Sequence, residues 1–147
     1  AIHRVSALWL SNSKGEILLA KRALVKKHAP GKWGCAAAGT IEEGETYDTN
    51  IIKETEEEIG VTLTLDQLMR GEKLLMGPPE NRRFIQWYMG TADVPVESLK
   101  LQEDEVSEAR WVPYDELITW MKQKPEDFVK TLPARVLATT GMRPTQS

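Results

Sequence analysis

The hydrophobic pattern of the first forty residues predicts three strands. Residues 4–10 carry apolar side chains on both faces, and residues 16–22 are again mostly apolar after a turn rich in serine, asparagine and glycine. The pair is therefore predicted to form a β-hairpin. A basic loop follows at 23–32, and the small side chains of 33–38 predict a buried strand with little room around it.

Residues 39–61, which read GTIEEGETYDTNIIKETEEEIGV, are the stretch around which the chain is organised. An acidic loop that contains glycines leads into a predicted helix that ends at Gly60. Glu54, Glu57 and Glu58 fall within an arc of roughly 100° on that helix, because successive helical residues are turned by about 100°. Three carboxylates on one side resemble a site for a hard cation, since Mg²⁺ and Mn²⁺ prefer oxygen ligands.

The remaining positions of this helix supply its predicted buried face. Glu56 points away from the three carboxylates. Ile52, Thr55 and Ile59 lie on the side opposite the carboxylates, with Ile51 at the margin of that side. We therefore expect Ile52, Thr55 and Ile59 to be the part of the helix that is buried.

Strands and helices alternate in the second half of the chain as well. The predicted strands are 68–76, 82–92 and 108–112, and the predicted helices are 114–122 and 125–137. Pro133 is expected to interrupt or kink the last helix, and residues 141–147 are expected to be a frayed tail. This order predicts an α/β fold in which helices cover a mixed β-sheet, within a single domain that spans residues 1–147.

Composition and charge restrict the class of protein. Of the 147 residues, 41% are hydrophobic and 28% are charged, which is ordinary for a globular domain. The net charge of −3 argues against duplex nucleic acid as the main partner, and the single cysteine, Cys35, excludes an internal disulfide. No apolar run approaches the roughly 20 residues of a membrane span, and the N-terminus lacks the features of a signal peptide. We therefore expect a cytoplasmic protein with no membrane contact.

The stretch 39–61 resembles the Nudix box, G-x5-E-x7-R-E-U-x-E-E-x-G-U, in which U is a bulky apolar residue. Two positions depart from the box. Lys53 occupies the arginine position, where it keeps the positive charge but lacks the planar guanidinium that grips a carboxylate with two N–H groups. Thr55 occupies the first apolar position. The residues that fall on the other fixed positions are Gly39, Glu45, Glu54, Glu57, Glu58, Gly60 and Val61.

The resemblance implies a Nudix-type α/β/α sandwich and a pyrophosphatase activity. Such an enzyme hydrolyses a diphosphate linkage in a small nucleotide-type substrate, either a nucleoside diphosphate derivative or a nucleoside triphosphate, with Mg²⁺ or Mn²⁺ as cofactor. By position in the box, the metal ligands would be Glu54, Glu57, Glu58 and the carbonyl group of Gly39. Glu45 would support the helix by pairing with Lys53.

The catalytic base is left open at this stage. In the family it comes either from a glutamate of the box or from a later loop. Glu54 and Glu57 are the candidates within the box. Glu103, Asp104 and Glu105 are the candidates in the loop before the strand at 108–112, although each of the three is equally well explained as part of an exposed acidic loop.

Several residues outside the box are candidates for substrate binding. Arg22 ends a strand and is a candidate for gripping a phosphate, as are Arg82 and Arg83. Because strand side chains alternate between faces, at most one of these last two is expected to face the substrate. Aromatic side chains that would either stack on a base or belong to the core are Trp33, Trp87 and Tyr88.

Two other functions remain as alternatives. The first is an enzyme like the isopentenyl diphosphate isomerases of the same fold, whose approach to the box the PGKW segment at 30–33 resembles. Those isomerases place a cysteine just before the first box glycine, where this chain has Ala38, and Cys35 lies three positions earlier. The second is a non-catalytic binding module, although such modules tend to lose box glutamates that this chain keeps. Homodimer formation is also left open.

Overall fold

The computed structural model of the protein describes residues 2–139 and 141–144. These residues form one mixed β-sheet of seven strands with helices on both faces. The strands are β1 (His3–Ser11), β2 (Glu16–Arg22), β3 (Trp33–Gly34), β4 (Ala37–Thr40), β5 (Leu68–Met76), β6 (Arg83–Thr91) and β7 (Val106–Pro113). The helices are α1 (Tyr47–Ile59), α2 (Tyr114–Gln123) and α3 (Leu132–Leu137). Within the described part of the chain, no helix is long and apolar enough to cross a membrane.

The sheet is mixed because β1 and β6 run parallel along their whole lengths, whereas the other pairings are antiparallel. The predicted hairpin of β1 and β2 pairs only next to its turn, at Ser11 and Ile17. Beyond that point the two strands diverge, and the chain at 33–40 fills the gap, with β3 paired to β2 and β4 paired to β1. The predicted strand at 33–38 is therefore wrong in part, since two short strands with different partners replace it.

Each face of the sheet has its own hydrophobic core, as the alternation of side chains along a strand requires. On one face, Trp9 and Trp87 pack with α2 and α3. On the other face, Leu8 and Tyr88 pack with α1. The sheet thus lies between two helical layers, which confirms the α/β/α sandwich expected from the sequence.

The buried face of α1 differs from the predicted one. The buried residues are Asn50, Ile51, Thr55 and Ile59, whereas Ile52 is only half-buried and lines a groove on the outer side of the helix. The prediction was centred on the isoleucines, and it omitted Asn50, which is completely buried.

The C-terminal part of the chain also departs from two predictions. The helix predicted at 125–137 is a single 3-10 turn, Pro125–Asp127, followed by the short α3. Pro133 lies in the first turn of α3, where its missing N–H needs no partner, so it begins a helix and does not interrupt one. Residues 141–144 are not frayed, because Met142 is buried and its carbonyl accepts a hydrogen bond of 2.7 Å from Trp9 Nε1. The rest of the predicted tail, 145–147, lies outside the described residues.

Candidate active site

A cavity of about 660 Å³ opens where β1 and β2 diverge. The N-terminal strands, α1 and the loop before β7 all contribute to its wall. Its charged lining residues include the cations Lys21, Arg22, Lys26 and Arg83 and the carboxylates Glu42, Glu54, Glu57, Glu58 and Glu105. The three predicted ligand carboxylates of α1 and two of the three predicted arginines thus line one cavity.

Helix α1, which carries three of these carboxylates, is capped at both ends by residues of its own sequence. Thr46 caps the N-terminus by accepting a 3.1 Å hydrogen bond from the Thr49 amide, and Thr49 Oγ1 accepts one of 2.9 Å from the Thr46 amide in return. Gly60 ends the helix in the left-handed region at φ 72°, where its N–H donates to the Glu56 carbonyl at 3.0 Å. The predicted end of the helix at Gly60 is therefore confirmed.

Glu45 and Lys53 are in contact, as expected for the pair that supports the helix. Lys53 Nζ lies 2.5 Å from Glu45 Oε2, and it also lies 3.8 Å from Glu54 Oε1 and 3.9 Å from Glu42 Oε2. The hydrogen bond from Lys53 is the main cause that lowers the pKa of Glu45 to about 2. Glu45 is therefore an ionised anchor between the acidic loop and α1.

Glu54 and Glu58 approach each other at the centre of the acidic wall. Burial is the main cause that raises the pKa of Glu58 to about 9, and the hydrogen bond and negative charge of Glu54 raise it further. Burial also raises the pKa of Glu54. Two adjacent carboxylates in a partly buried place repel each other, which favours the protonated form of Glu58.

Glu57 is exposed, and it is close enough to the pair for its charge to contribute to the raised pKa of Glu54. It lines both the cavity and the outer groove of the helix, whereas Glu56 lines only the outer groove. Among residues 2–139 and 141–144, no three His, Cys, Asp or Glu side chains already form a group that could hold a metal ion. The ligand set expected from the box therefore stays a prediction. Of its members, Glu54 and Glu58 are the two carboxylates that approach each other.

Gly39 is required because Glu54 packs directly on its Cα. A Cβ at this position would overlap Cγ and Cδ of Glu54 and would lie 2.8 Å from Oε1. Gly39 belongs to β4 and pairs with Ser6 of β1. The first glycine of the box thus gives Glu54 the space to lie against the sheet.

The loop before β7 brings one of its three acidic residues to the cavity. The amides of Lys100 and Gln102 donate to the last carbonyls of α1, those of Ile59 and Glu58, at 3.0 Å and 2.9 Å. This contact places Glu105 in the cavity wall, where it forms an ion pair with Lys26. Glu103 and Asp104 are exposed and do not belong to the lining.

The predicted phosphate-binding arginines have different positions. Arg22 is half-buried, and its Nε donates to the His28 carbonyl at 3.0 Å, which directs the side chain along the basic loop. Arg83, at the start of β6, lines the cavity, but Arg82 does not. Of these two neighbours, Arg83 is therefore the one that lies at the cavity, and its contact with substrate stays a prediction.

The aromatic candidates belong to the core. Trp33, Trp87 and Tyr88 are all buried, and the described lining of the cavity includes no aromatic side chain. The Tyr88 hydroxyl donates to Asp48, so it fastens α1 to β6. Cys35 lines the cavity, and burial raises the pKa of its thiol to about 12.

Asn50 is the residue of this region that the sequence analysis missed. Its amide bridges β1, β4 and the acidic loop, through Ser6, Thr40 and Glu45. The available signal was its spacing, because Asn50 lies four residues before Glu54 and seven before Glu57, and the helical period therefore places it on the carboxylate side of α1. A buried amide on that side needs hydrogen-bond partners.

A family model described as NUDIX domain matches residues 2–132 of the chain. Among curated relatives, an uncharacterized Nudix hydrolase of Pseudomonas aeruginosa is 35% identical over 112 residues, which cover 76% of this chain and 63% of that protein. An isopentenyl-diphosphate Delta-isomerase of Corynebacterium diphtheriae is 28% identical over 134 residues, which cover 86% of this chain and 72% of the isomerase. The chain spans 63% and 66% of the first two curated relatives that it matches, slightly less than two thirds.

Solved structures share the fold. The crystal structure of DR0079 from Deinococcus radiodurans superimposes with a TM-score of 0.74 at 21% identity, over 94% of this chain and 83% of the other. The NUDIX domain of Shewanella oneidensis NrtR, crystallised with ADP ribose, has a TM-score of 0.67 at 15% identity, over 95% and 90% of the two chains. Since the family model covers most of its length, the chain belongs to the Nudix family.

Proposed function

We propose that this protein is a divalent-metal-dependent hydrolase that cleaves a diphosphate linkage in a nucleoside diphosphate derivative or a nucleoside triphosphate. The observation that supports this proposal most strongly is the division of charge in the cavity. Carboxylates of α1 form one wall, and Arg22, Lys26 and Arg83 contribute positive charge elsewhere. A diphosphate needs both, because its own charge must be gripped while a metal ion is held beside it.

The residues of the acidic wall fit a divalent cation. Enzymes of the Nudix family generally use divalent metals. Carboxylate oxygens are the donors that Mg²⁺ and Mn²⁺ prefer, and the raised pKa values of Glu54 and Glu58 mark a place where additional positive charge is stabilising. Glu54, Glu57 and Glu58, with the Gly39 carbonyl, would hold the metal. When bound, the ion would neutralise phosphate charge and lower the pKa of a water molecule.

The side chains of the chain itself would carry out the remaining tasks. Arg22 and Arg83 would hold the phosphates in line with an attacking water. The water oxygen forms a bond to phosphorus while the bridging P–O bond breaks, and a carboxylate accepts the proton of the water. We propose Glu54, Glu57 and Glu105 as the residues that act in catalysis. Glu105 has the advantage that its ion pair with Lys26 fixes it at the cavity.

The assay is release of phosphate or of a mononucleotide from a panel of nucleoside di- and triphosphate derivatives, ADP-ribose included, with Mg²⁺ or Mn²⁺. Turnover that EDTA abolishes is the expected result. A folded protein that turns over no member of the panel with either metal would contradict the hydrolase proposal and favour a non-catalytic binding module.

An isomerase is the second candidate, because one curated relative carries that name and Cys35 lines the cavity. The residue before Gly39 is Ala38, however, and the buried thiol of Cys35 has a raised pKa, which makes it a poor proton donor or acceptor. Incubation with isopentenyl diphosphate, followed by NMR of the double bond, distinguishes the two activities. A shifted double bond without released phosphate would identify the isomerase.

Other expectations stay predictions at this point. These expectations are the single domain at 1–147, the cytoplasmic location and the small-molecule partner. Sedimentation of the purified protein decides whether a homodimer forms. Because the net charge of the chain is −3, we expect that the protein does not change the electrophoretic mobility of duplex DNA.

A further inference from the structure

Lys53 leaves one oxygen of Glu45 without the partner that an arginine would provide. A guanidinium grips both oxygens of a carboxylate with two parallel N–H groups, whereas an ammonium is a point charge on a flexible stem. Lys53 Nζ lies 2.5 Å from Oε2 of Glu45. The charge of Lys53 alone therefore does not determine the orientation of the Glu45 carboxylate plane.

Asn50 provides a second side-chain donor to this carboxylate. Its Nδ2 donates to Glu45 Oε1 at 3.0 Å, the oxygen that also accepts from the Glu42 amide at 2.8 Å. Nδ2 donates a second bond to the Thr40 carbonyl at 3.1 Å. Its Oδ1 accepts from Ser6 Oγ at 2.5 Å, so the whole amide is satisfied although the residue is 0% exposed.

The position of Asn50 suits this task. It precedes Lys53 by three residues, so the two side chains lie on neighbouring parts of the same face of α1. Thr40, whose carbonyl it holds, follows Gly39 directly in β4. Because Glu54 packs on the Cα of Gly39, any movement of this strand end relative to α1 would displace a proposed metal ligand.

We propose that Asn50 is a positioning residue that replaces the second N–H group of the box arginine. Together with the lysine, it grips Glu45 through both oxygens, and it ties the acidic loop and β4 to α1. The carboxylates of the acidic wall are thereby held at the cavity. The hydrogen-bonding role stands on the contacts alone, and only its effect on metal binding and turnover rests on the proposed function.

A buried asparagine that serves only to stabilise the core makes a different prediction. Its loss would lower the melting temperature, and Lys53→Arg would not specifically compensate for that loss. If Asn50 instead supplies the donor that the lysine lacks, Lys53→Arg should compensate for the loss of Asn50. The decisive comparison is therefore among Asn50→Ala, Lys53→Arg and the double variant.

The control is Thr55→Val. Thr55 is also buried on α1, and its hydroxyl donates only to the Ile51 carbonyl one turn earlier, at 2.7 Å. The substitution removes a buried hydrogen bond from the same helix without touching Glu45. It reports the effect of general helix destabilisation.

The first measurement is hydrogen exchange of the Glu42 amide by NMR in EDTA, well below the melting temperature. Loss of an oriented Glu45 frees this amide, so Asn50→Ala should accelerate its exchange by about fivefold, the factor that corresponds to roughly one hydrogen bond. Lys53→Arg should restore protection in the double variant, and Thr55→Val should leave it unchanged. Unchanged exchange in Asn50→Ala, or no recovery in the double variant, would overturn the proposal.

The second measurement is Mn²⁺ binding by calorimetry, which needs no substrate. Asn50→Ala should weaken binding, and the double variant should regain most of it.

If Asn50→Ala does not fold, Lys53→Met replaces it, because Lys53 is at the surface. Asn50 should then retain part of the Glu42 protection, and complete loss would contradict its role. A wild-type protein without turnover would refute the proposed activity but would leave the exchange result decisive for Asn50.

Discussion

Gly39→Ala is the substitution whose effect on the candidate site can be worked out most directly. The new Cβ would overlap Cγ and Cδ of Glu54 and lie 2.8 Å from Oε1. Nonbonded carbon atoms prefer a separation of about 3.5 Å or more, so the Glu54 side chain must shift by on the order of 1 Å. A misplacement of about 1 Å in a catalytic group costs about a hundredfold in rate. We therefore expect kcat to fall about a hundredfold.

The fold should survive this change. The backbone of Gly39 is that of an ordinary strand residue, and the obstacle is a side chain and not the main chain. The control is Gly71→Ala in β5, where a new Cβ would make ordinary contacts with Met89 and Trp87 at 3.4 Å and 3.5 Å. Initial rates with Mg²⁺ and thermal unfolding are measured for both variants. Wild-type turnover in Gly39→Ala, or a loss no greater than in Gly71→Ala, would refute the reasoning.

Three further substitutions test separate parts of the structure. Glu57→Gln removes a proposed metal ligand from an exposed position, so initial rates should fall by roughly a thousandfold while the melting temperature is unchanged. Leu117→Ala empties a completely buried position of the α2 core and should reduce the free energy of unfolding in urea by about 2–5 kcal/mol. The pKa of Asp48 is lowered, first by the Tyr88 hydrogen bond and then by Arg70, so below about pH 4 the unfolded chain takes up a proton before the folded one. The stabilising contribution of Asp48 is therefore full at neutral pH and lost as the pH falls. In the Asp48→Asn variant, the free energy of unfolding should decrease less steeply between neutral and acidic pH than in the wild-type protein. A decrease as steep as that of the wild-type protein would contradict this assignment.

The parts of the site that the sequence predicted are those that depend on short-range order. The helical period placed Glu54, Glu57 and Glu58 along one cavity wall, and glycine chemistry placed the end of α1 at Gly60. The contact of Glu45 with Lys53 was implied by the resemblance to the Nudix box. These features lie within one loop and one helix, where the fixed geometry of the backbone relates sequence separation to distance in space.

The features that could not be predicted depend on pairing between distant parts of the chain. Of the three acidic residues in the loop before β7, Glu105 is the one that lines the cavity, and this loop contacts the end of α1 through the Gln102 amide, which donates to the Glu58 carbonyl. The division of residues 33–40 into two strands follows from the divergence of β1 and β2, for which no local pattern exists. The buried Met142 accepts a hydrogen bond from Trp9, which lies near the other end of the chain.

The error on the buried face of α1 is itself informative about function. The prediction followed the isoleucines and omitted Asn50, although Asn50 and Glu58 both lie within about 100° of the buried Ile51 around the helix. The helix therefore directs part of its polar surface toward the sheet, which costs free energy unless every polar group is bonded. Asn50 meets that condition through Ser6, Thr40 and Glu45, and Glu58 accepts a hydrogen bond from the Ala38 amide. A sequence keeps such an arrangement in place of an apolar one where the polar groups have a task, and the break in the hydrophobic pattern coincides here with the acidic wall of the cavity.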